Sequence, residues 1–255
     1  MCTILLAFQH VAGAPVVVAA NRDEYLQRPS LPPHLLRSHP VVAGGSDQLA
    51  GGTWMAVRGD GVVAAVTNRR ASTRDPQRRS RGELPIALLD TADDAAAHAL
   101  LDSLDPEAYN PFNALYMSPE CAVVAEADTD GLRVRVLEPG LHVLTVFDVD
   151  DRSHAKVDAL STRFHDAARA HRDGGALLAA MEDLLRDHGV PGRDGVDAAC
   201  VHLDEYGTVS SSSVVVDDRG GIVYRHAPGK PCVTPHDDVS ALVGAGTPAS
   251  HSSSG

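Results

Sequence analysis

Short apolar runs broken by tight-turn dipeptides constrain this chain more than any other feature. Asp60-Gly61 separates Thr53–Val57 from Val62–Thr67, Asp130-Gly131 separates Cys121–Ala125 from Leu132–Leu137, and Gly220-Gly221 separates Ser213–Val216 from Ile222–Tyr224. Asp-Gly and Gly-Gly supply the positive φ angles of tight hairpins, so each predicts an antiparallel strand pair. Thr3–Phe8 and Val16–Ala20 flank Gly13 and predict a fourth pair. Phe112–Met117, Leu141–Val146 and Ala198–His202 are further expected strands.

Helical patterning falls between these runs. Gly82 to Leu104 is rich in Ala and Leu and reads as one helix with Pro85 in its first turn. Val157, Leu160, Phe164 and Ala168 recur at helical spacing within Arg152 to Arg172. Leu177, Leu178, Met181, Leu184 and Leu185 form another stripe, ending at Gly189. Hairpins in runs and helices in runs argue for α+β rather than an alternating βαβ fold. Arg28 to Pro40 reads as a Pro-rich loop, residues 1–243 as one domain, and the small, polar residues 244–255 as a disordered tail.

Composition then bounds function. A formal net charge of -12 disfavours nucleic acid and anionic membranes as partners. No run of apolar residues is long enough for a membrane span, and the apolar start lacks the basic residues of a signal peptide. Cys2, Cys121, Cys200 and Cys232 are irregularly spaced, which suggests neither a disulfide framework nor a zinc site and fits a reduced, cytoplasmic setting. The histidines, His10, His34, His39 and His98 among them, show no paired ligand spacing, so no metal is expected.

Three stretches could carry chemistry. Cys2 is either a small apolar residue opening a strand or a nucleophile. If Met1 is removed, the freed α-amine, with a pKa of roughly 7.7–8.0, can take the thiol proton. Asn21-Arg22-Asp23-Glu24 ends the strand expected to pair with the one starting at Cys2. It is either a solvated turn or a set in which Asp23 anchors the amine and Arg22 favours thiolate. Asn68 closes the second strand of the AGGTWMAV…GVVAAVTNRR hairpin. It is either a turn residue or an oxyanion donor. Arg69, Arg70, Arg74, Arg78, Arg79 and Arg81 follow it, opposed only by Asp75. They form either a solvated loop or a grip on carboxylates and phosphates.

Taken in order, MCTILLAF, VAANRDEYLQRPS, AGGTWMAV with GVVAAVTNRR, SRGELP and YNPFNAL resemble the NRDE family, the transport and Golgi organisation protein 2 family. The likeness runs from Met1 to about Leu115 and returns in YGTVSSSSVVV. That family resembles N-terminal-nucleophile hydrolases, which implies a four-layer αββα sandwich of antiparallel sheets. The resemblance implies catalytic roles for Cys2, Arg22, Asp23 and Asn68, with Asn21, Trp54, Arg69 and Arg70 as ligand contacts. Three departures stand against full catalysis: Val146 where an Asn is expected, Val209 where an Arg is expected, and YRHAPG in place of a Glu-Arg pair. One oxyanion donor is worth about 2.7–4 kcal/mol.

Two functions are therefore expected. The first is a cysteine N-terminal-nucleophile hydrolase or acyl transferase acting on a C–N amide bond of a small molecule, with no cofactor required. The second is a non-catalytic carrier for haem or another amphipathic acidic ligand, since the family is linked to haem handling inside cells. The intact front half favours the first, and Val146 and Val209 favour the second.

Overall fold

The computed structural model describes residues 2–70, 74–189 and 195–244. Apart from Gly244, the expected tail lies outside them. Two antiparallel sheets dominate. The first has the order β10-β1-β2-β11-β12-β13, from β1 (Thr3–Val11), β2 (Ala14–Tyr25), β10 (Gly140–Leu144), β11 (Tyr206–Val216), β12 (Ile222–Ala227) and β13 (Asp237–Asp238). The second runs in chain order through β3 (Ser30–Ser38), β4 (Val41–Asp47), β5 (Met55–Arg58), β6 (Val63–Asn68), β7 (Phe112–Met117), β8 (Ala122–Asp128) and β9 (Gly131–Val136). All four expected hairpins are present, as β1–β2, β5–β6, β8–β9 and β11–β12.

Strand alternation builds the layers. In β1 and β2, Ile4, Leu6, Val16 and Val18 face the second sheet and join Val57, Val63, Leu115 and Val124 in a central core. Leu5, Ala7, Val17 and Ala19 face the other way, onto α3 (Ala155–Ala170) and α4 (Gly174–Leu184). The second sheet's outer face packs Ala64, Ala114 and Tyr116 against α1 (Glu83–Leu89) and α2 (Asp94–Asp102). The result is the αββα sandwich. Because both faces of these strands are covered, they are apolar throughout, and no in–out alternation is visible in their sequence.

Three expectations change, and one strand had no counterpart among them. Arg28 to Pro40 is not a loop: β3 is an edge strand, and its register shift between Leu31 and His34 accommodates Pro32 and Pro33 where no ladder donor is needed. The Gly82–Leu104 helix is two helices, because the Asp93 side chain accepts from the Ala96 amide and caps a new start. Ala198–His202 is not a strand. It follows a 3₁₀ turn at Gly195–Asp197, and His202 alone bridges to Gly207. Finally, β4 was hidden in VVAGGSD; a Cβ at Gly44 would sit 2.6 Å from the Met55 carbonyl, so the glycine permits close strand approach.

Candidate active site

The β1–β2 register pairs Thr3 with Asn21. Continued by one residue, it sets Cys2 opposite Arg22, both facing the space between the sheets. Asp23 then falls on the opposite face, toward α3, and Asn21 does the same. Cys2 is buried, with Sγ 4.0 Å from the Asp23 carbonyl oxygen. Burial pushes its thiol up, Asp23 adds to the push, and Arg22 opposes it. The thiol is therefore protonated near neutral pH, so attack through sulfur calls for a base in contact.

Asp23 is held from several sides. The Thr208 hydroxyl donates to Oδ1 at 2.6 Å, and the Tyr206 hydroxyl donates to the Asp23 carbonyl at 3.0 Å. Burial pushes the Asp23 carboxyl up, while Lys156 and Thr208 favour its ionised form. Lys156, on α3, is 5% exposed, and its Nζ has no hydrogen-bond partner among the described residues. Burial pushes its pKa down, and the nearby Asp23 carboxylate opposes that shift. Arg22 Nη2 donates to Asp47 at 3.4 Å, whereas its buried Nη1 has no partner among the described residues. Asp47 is fixed by Arg28 at 2.6 Å and by the Leu49 and Ala50 amides.

A cavity of about 510 Å³ opens over this set, lined by Cys2, Arg22, Asp23, Trp54, Asn68 and Arg81 among others. Arg74, Arg78 and Arg79 also line it. Arg81 donates to the Pro111 carbonyl at 2.9 Å; burial, and then neighbouring Arg74, pull its pKa down to about 10. The rim is held tight where Thr53 donates to the Gly82 carbonyl at 2.8 Å. Gly52, at φ 77°, leaves no room there for a Cβ.

Five expected residues thus share one cavity: Cys2, Arg22, Asp23, Trp54 and Asn68. Three do not. Asn21 is fully buried and donates to the Leu185 and Ala199 carbonyls at 2.8 and 2.9 Å, tying β2 to the helical layer. Arg69 donates to Asn113 at 2.9 Å, Asp128 at 3.1 Å and Asp148 at 2.6 Å, away from the cavity. Arg70 lies over the Phe147 ring, 5.4 Å from its centroid. Of the departures, Val146 is buried and Val209 lines a separate crevice beside Arg22; neither side chain can donate.

Sequence reasoning missed Thr208, Tyr206 and Lys156, and did not single out Arg81 from its neighbours. YGTVSSSS marked the first two only as a family echo. Lys156 carried a faint signal, since it is one of two lysines in an arginine-rich chain. Sequence spacing also gave no sign that the fold gathers His188, Cys200, His202 and Cys232, with ligand atoms within 4.8 Å of one another. Their separation along the chain concealed this.

Comparison with known proteins agrees with the fold. The family profile described as Transport and Golgi organisation 2 matches residues 1–226. The mouse Transport and Golgi organization 2 homolog is 26% identical over 235 residues, covering 82% of this chain and 84% of that protein. The human homolog is 26% identical over 234 residues with the same coverage. Among solved structures, a Caenorhabditis elegans N-acylethanolamine-hydrolyzing acid amidase ortholog is similar with a TM-score of 0.54 at 12% identity, covering 84% of this chain and 92% of that one. A mutant conjugated bile acid hydrolase from Clostridium perfringens gives 0.57 at 11%, covering 96% and 94%.

Proposed function

The chain belongs to the Transport and Golgi organisation 2 family, and from that premise we propose that it is a cysteine N-terminal-nucleophile hydrolase or acyl transferase that cleaves a C–N amide bond. One observation carries the reading: Cys2 and Arg22 sit opposite each other at a cavity whose lining also includes Asp23 and Asn68. An acid amidase and a conjugated bile acid hydrolase, by their names, share the fold and support amide chemistry.

Removal of Met1 frees the Cys2 amine. As Sγ attacks the carbonyl carbon, this amine takes the thiol proton, which fits a thiol that burial keeps protonated. The C–N bond breaks, the proton passes to the leaving nitrogen, and a thioester remains. Water, or an amine in the transferase case, then releases the acyl group and returns the proton to sulfur. Asp23, fixed by Thr208, orients the amine. The Asn68 amide and Arg22 Nη1 are donors for the developing oxyanion. Arg81 and the arginines beside it favour a substrate bearing a carboxylate or phosphate.

The test pairs intact-mass analysis with turnover of acidic N-acyl substrates. The expected result is loss of Met1, a covalent acyl adduct on Cys2, and turnover abolished in Cys2→Ala with the fold retained. Retained Met1, or Cys2→Ala as active as the parent, would reject the reading.

A second reading, carriage of haem or another acidic amphipathic ligand, is favoured by the arginine lining together with the donor-free Val146 and Val209. Saturable Soret perturbation with no turnover of any amide would put it first.

A further inference from the structure

Away from the Cys2 cavity, four side chains from three separate segments meet. His188 lies beyond the end of α4, Cys200 and His202 lie on the stretch after the 3₁₀ turn, and Cys232 lies in the connection between β12 and β13. Cys200 Sγ is 3.6 Å from Cys232 Sγ and 3.4 Å from His202 Nε2, and Cys232 Sγ is 3.3 Å from the same nitrogen. The His188 ring stands edge-on to His202 with centroids 4.7 Å apart. Both cysteines are free.

These separations have a simple meaning. A tetrahedral ion with metal–sulfur bonds near 2.3 Å and metal–nitrogen bonds near 2.05 Å sets its ligands about 3.8 Å apart for two sulfurs and about 3.6 Å apart for sulfur and nitrogen. The three edges among Cys200, His202 and Cys232 fall within a few tenths of an ångström of those figures, and His188 completes a set whose ligand atoms all lie within 4.8 Å of one another. The backbone already shapes the loops that carry the ligands: the Cys200 amide donates to the Asp187 carbonyl at 2.8 Å, and the Thr234 amide closes the turn around Cys232 onto Lys230 at 2.9 Å.

We propose that His188, Cys200, His202 and Cys232 bind one zinc ion in a Cys₂His₂ site that staples the 195–203 segment to α4 and to the β12–β13 connection. Two thiolates and two imidazoles suit zinc over magnesium or calcium, and four protein ligands make the site structural rather than catalytic. Zinc binding displaces the thiol protons to solvent, with no redox step. The staple also reaches the proposed active site. The Val201 amide donates to Thr208 Oγ1 at 2.9 Å, and that hydroxyl is the one that holds Asp23.

The test uses the full chain, purified in reductant without chelator. Cobalt(II) is titrated into protein stripped of metal, then displaced by zinc. Intense visible bands and sulfur charge-transfer absorption are expected, saturating at about one ion per chain. Elemental analysis of untreated protein should find zinc at the same stoichiometry. Cys200→Ser/Cys232→Ser should abolish the bands, and His188→Ala should weaken cobalt binding about 10-fold or more while leaving the thiolate bands visible. Should the cysteine pair fail to fold, the wild-type titration and the His188 variant still decide the matter. Absence of saturable cobalt bands in fully reduced protein would overturn the proposal. So would a Cys200–Cys232 disulfide found by peptide mapping as the native state of both thiols.

Discussion

Arg69 and Arg81 bracket one arginine-rich stretch and have different surroundings. Arg81 lines the cavity, whereas Arg69 locks β6 and β7 to Asp128 and Asp148. Arg81→Met should weaken binding of haem, used as a carboxylate-bearing probe, about 10-fold, or about 1.4 kcal/mol, in an absorbance titration. Arg69→Ala should leave that affinity unchanged and cost about 1–3 kcal/mol in urea unfolding. The opposite pattern would reverse the two assignments. The concentration of guanidinium was legible in the sequence. Which group faced the ligand space was not, because the acceptors that claim Arg69 lie 59 and 79 residues away along the chain. Lys156 was illegible for a related reason: it occupies a helix whose apolar stripe explains every neighbour without it, and its relation to Asp23 exists only once α3 lies on the first sheet.

At the scale of single elements, β2 divides its polar end between two faces. Arg22 looks into the inter-sheet space, while Asn21 and Asp23 look toward the helices. The NRDE stretch therefore holds a structural tether, Asn21, beside two site residues, Arg22 and Asp23, that approach Cys2 from different faces of the strand. Asn21→Ala should leave the Leu185 and Ala199 carbonyls without their donor in a buried setting, costing about 1–3 kcal/mol. The expected outcome is a lower urea midpoint with an unchanged m-value; an unchanged midpoint would deny the tether. Hairpin turns such as Asp60-Gly61 announced themselves because positive φ demands particular residues. The edge strand β3 did not, since Pro32 and Pro33 obey loop chemistry even where a register shift lets an edge strand absorb them.

Across the whole molecule, acid should be a weakness. Burial pulls the pKa of His226 and of His236 down to about 4, with His236 pressing on His226 and with Arg225 and Arg186 pressing on His236. Asp237 opposes both shifts, and Glu182 lies 3.8 Å from His236 Nδ1. Free histidine titrates near 6.5, so between that value and about 4 the unfolded chain binds protons that the native state refuses. The stabilisation is complete above about pH 6.5 and is lost as pH falls toward 4. Calorimetry should show Tm dropping over that interval, less steeply in His226→Gln; a flat profile would contradict the burial. The layer order was legible from hairpins followed by helices, but the partnering of the two sheets was not. β2 finds its neighbour in β11, with Val16 against Val216 and Tyr25 against Tyr206. A growing chain leaving the ribosome makes the β1–β2 hairpin early and must then hold the flank of β2 open, Val-Val-Val-Ala-Ala included, until Tyr206–Val216 has emerged. Biosynthesis thus passes through a long interval in which a long apolar strand edge has no mate. A nascent chain stalled before residue 206 should draw on chaperones far more heavily than one stalled after residue 216.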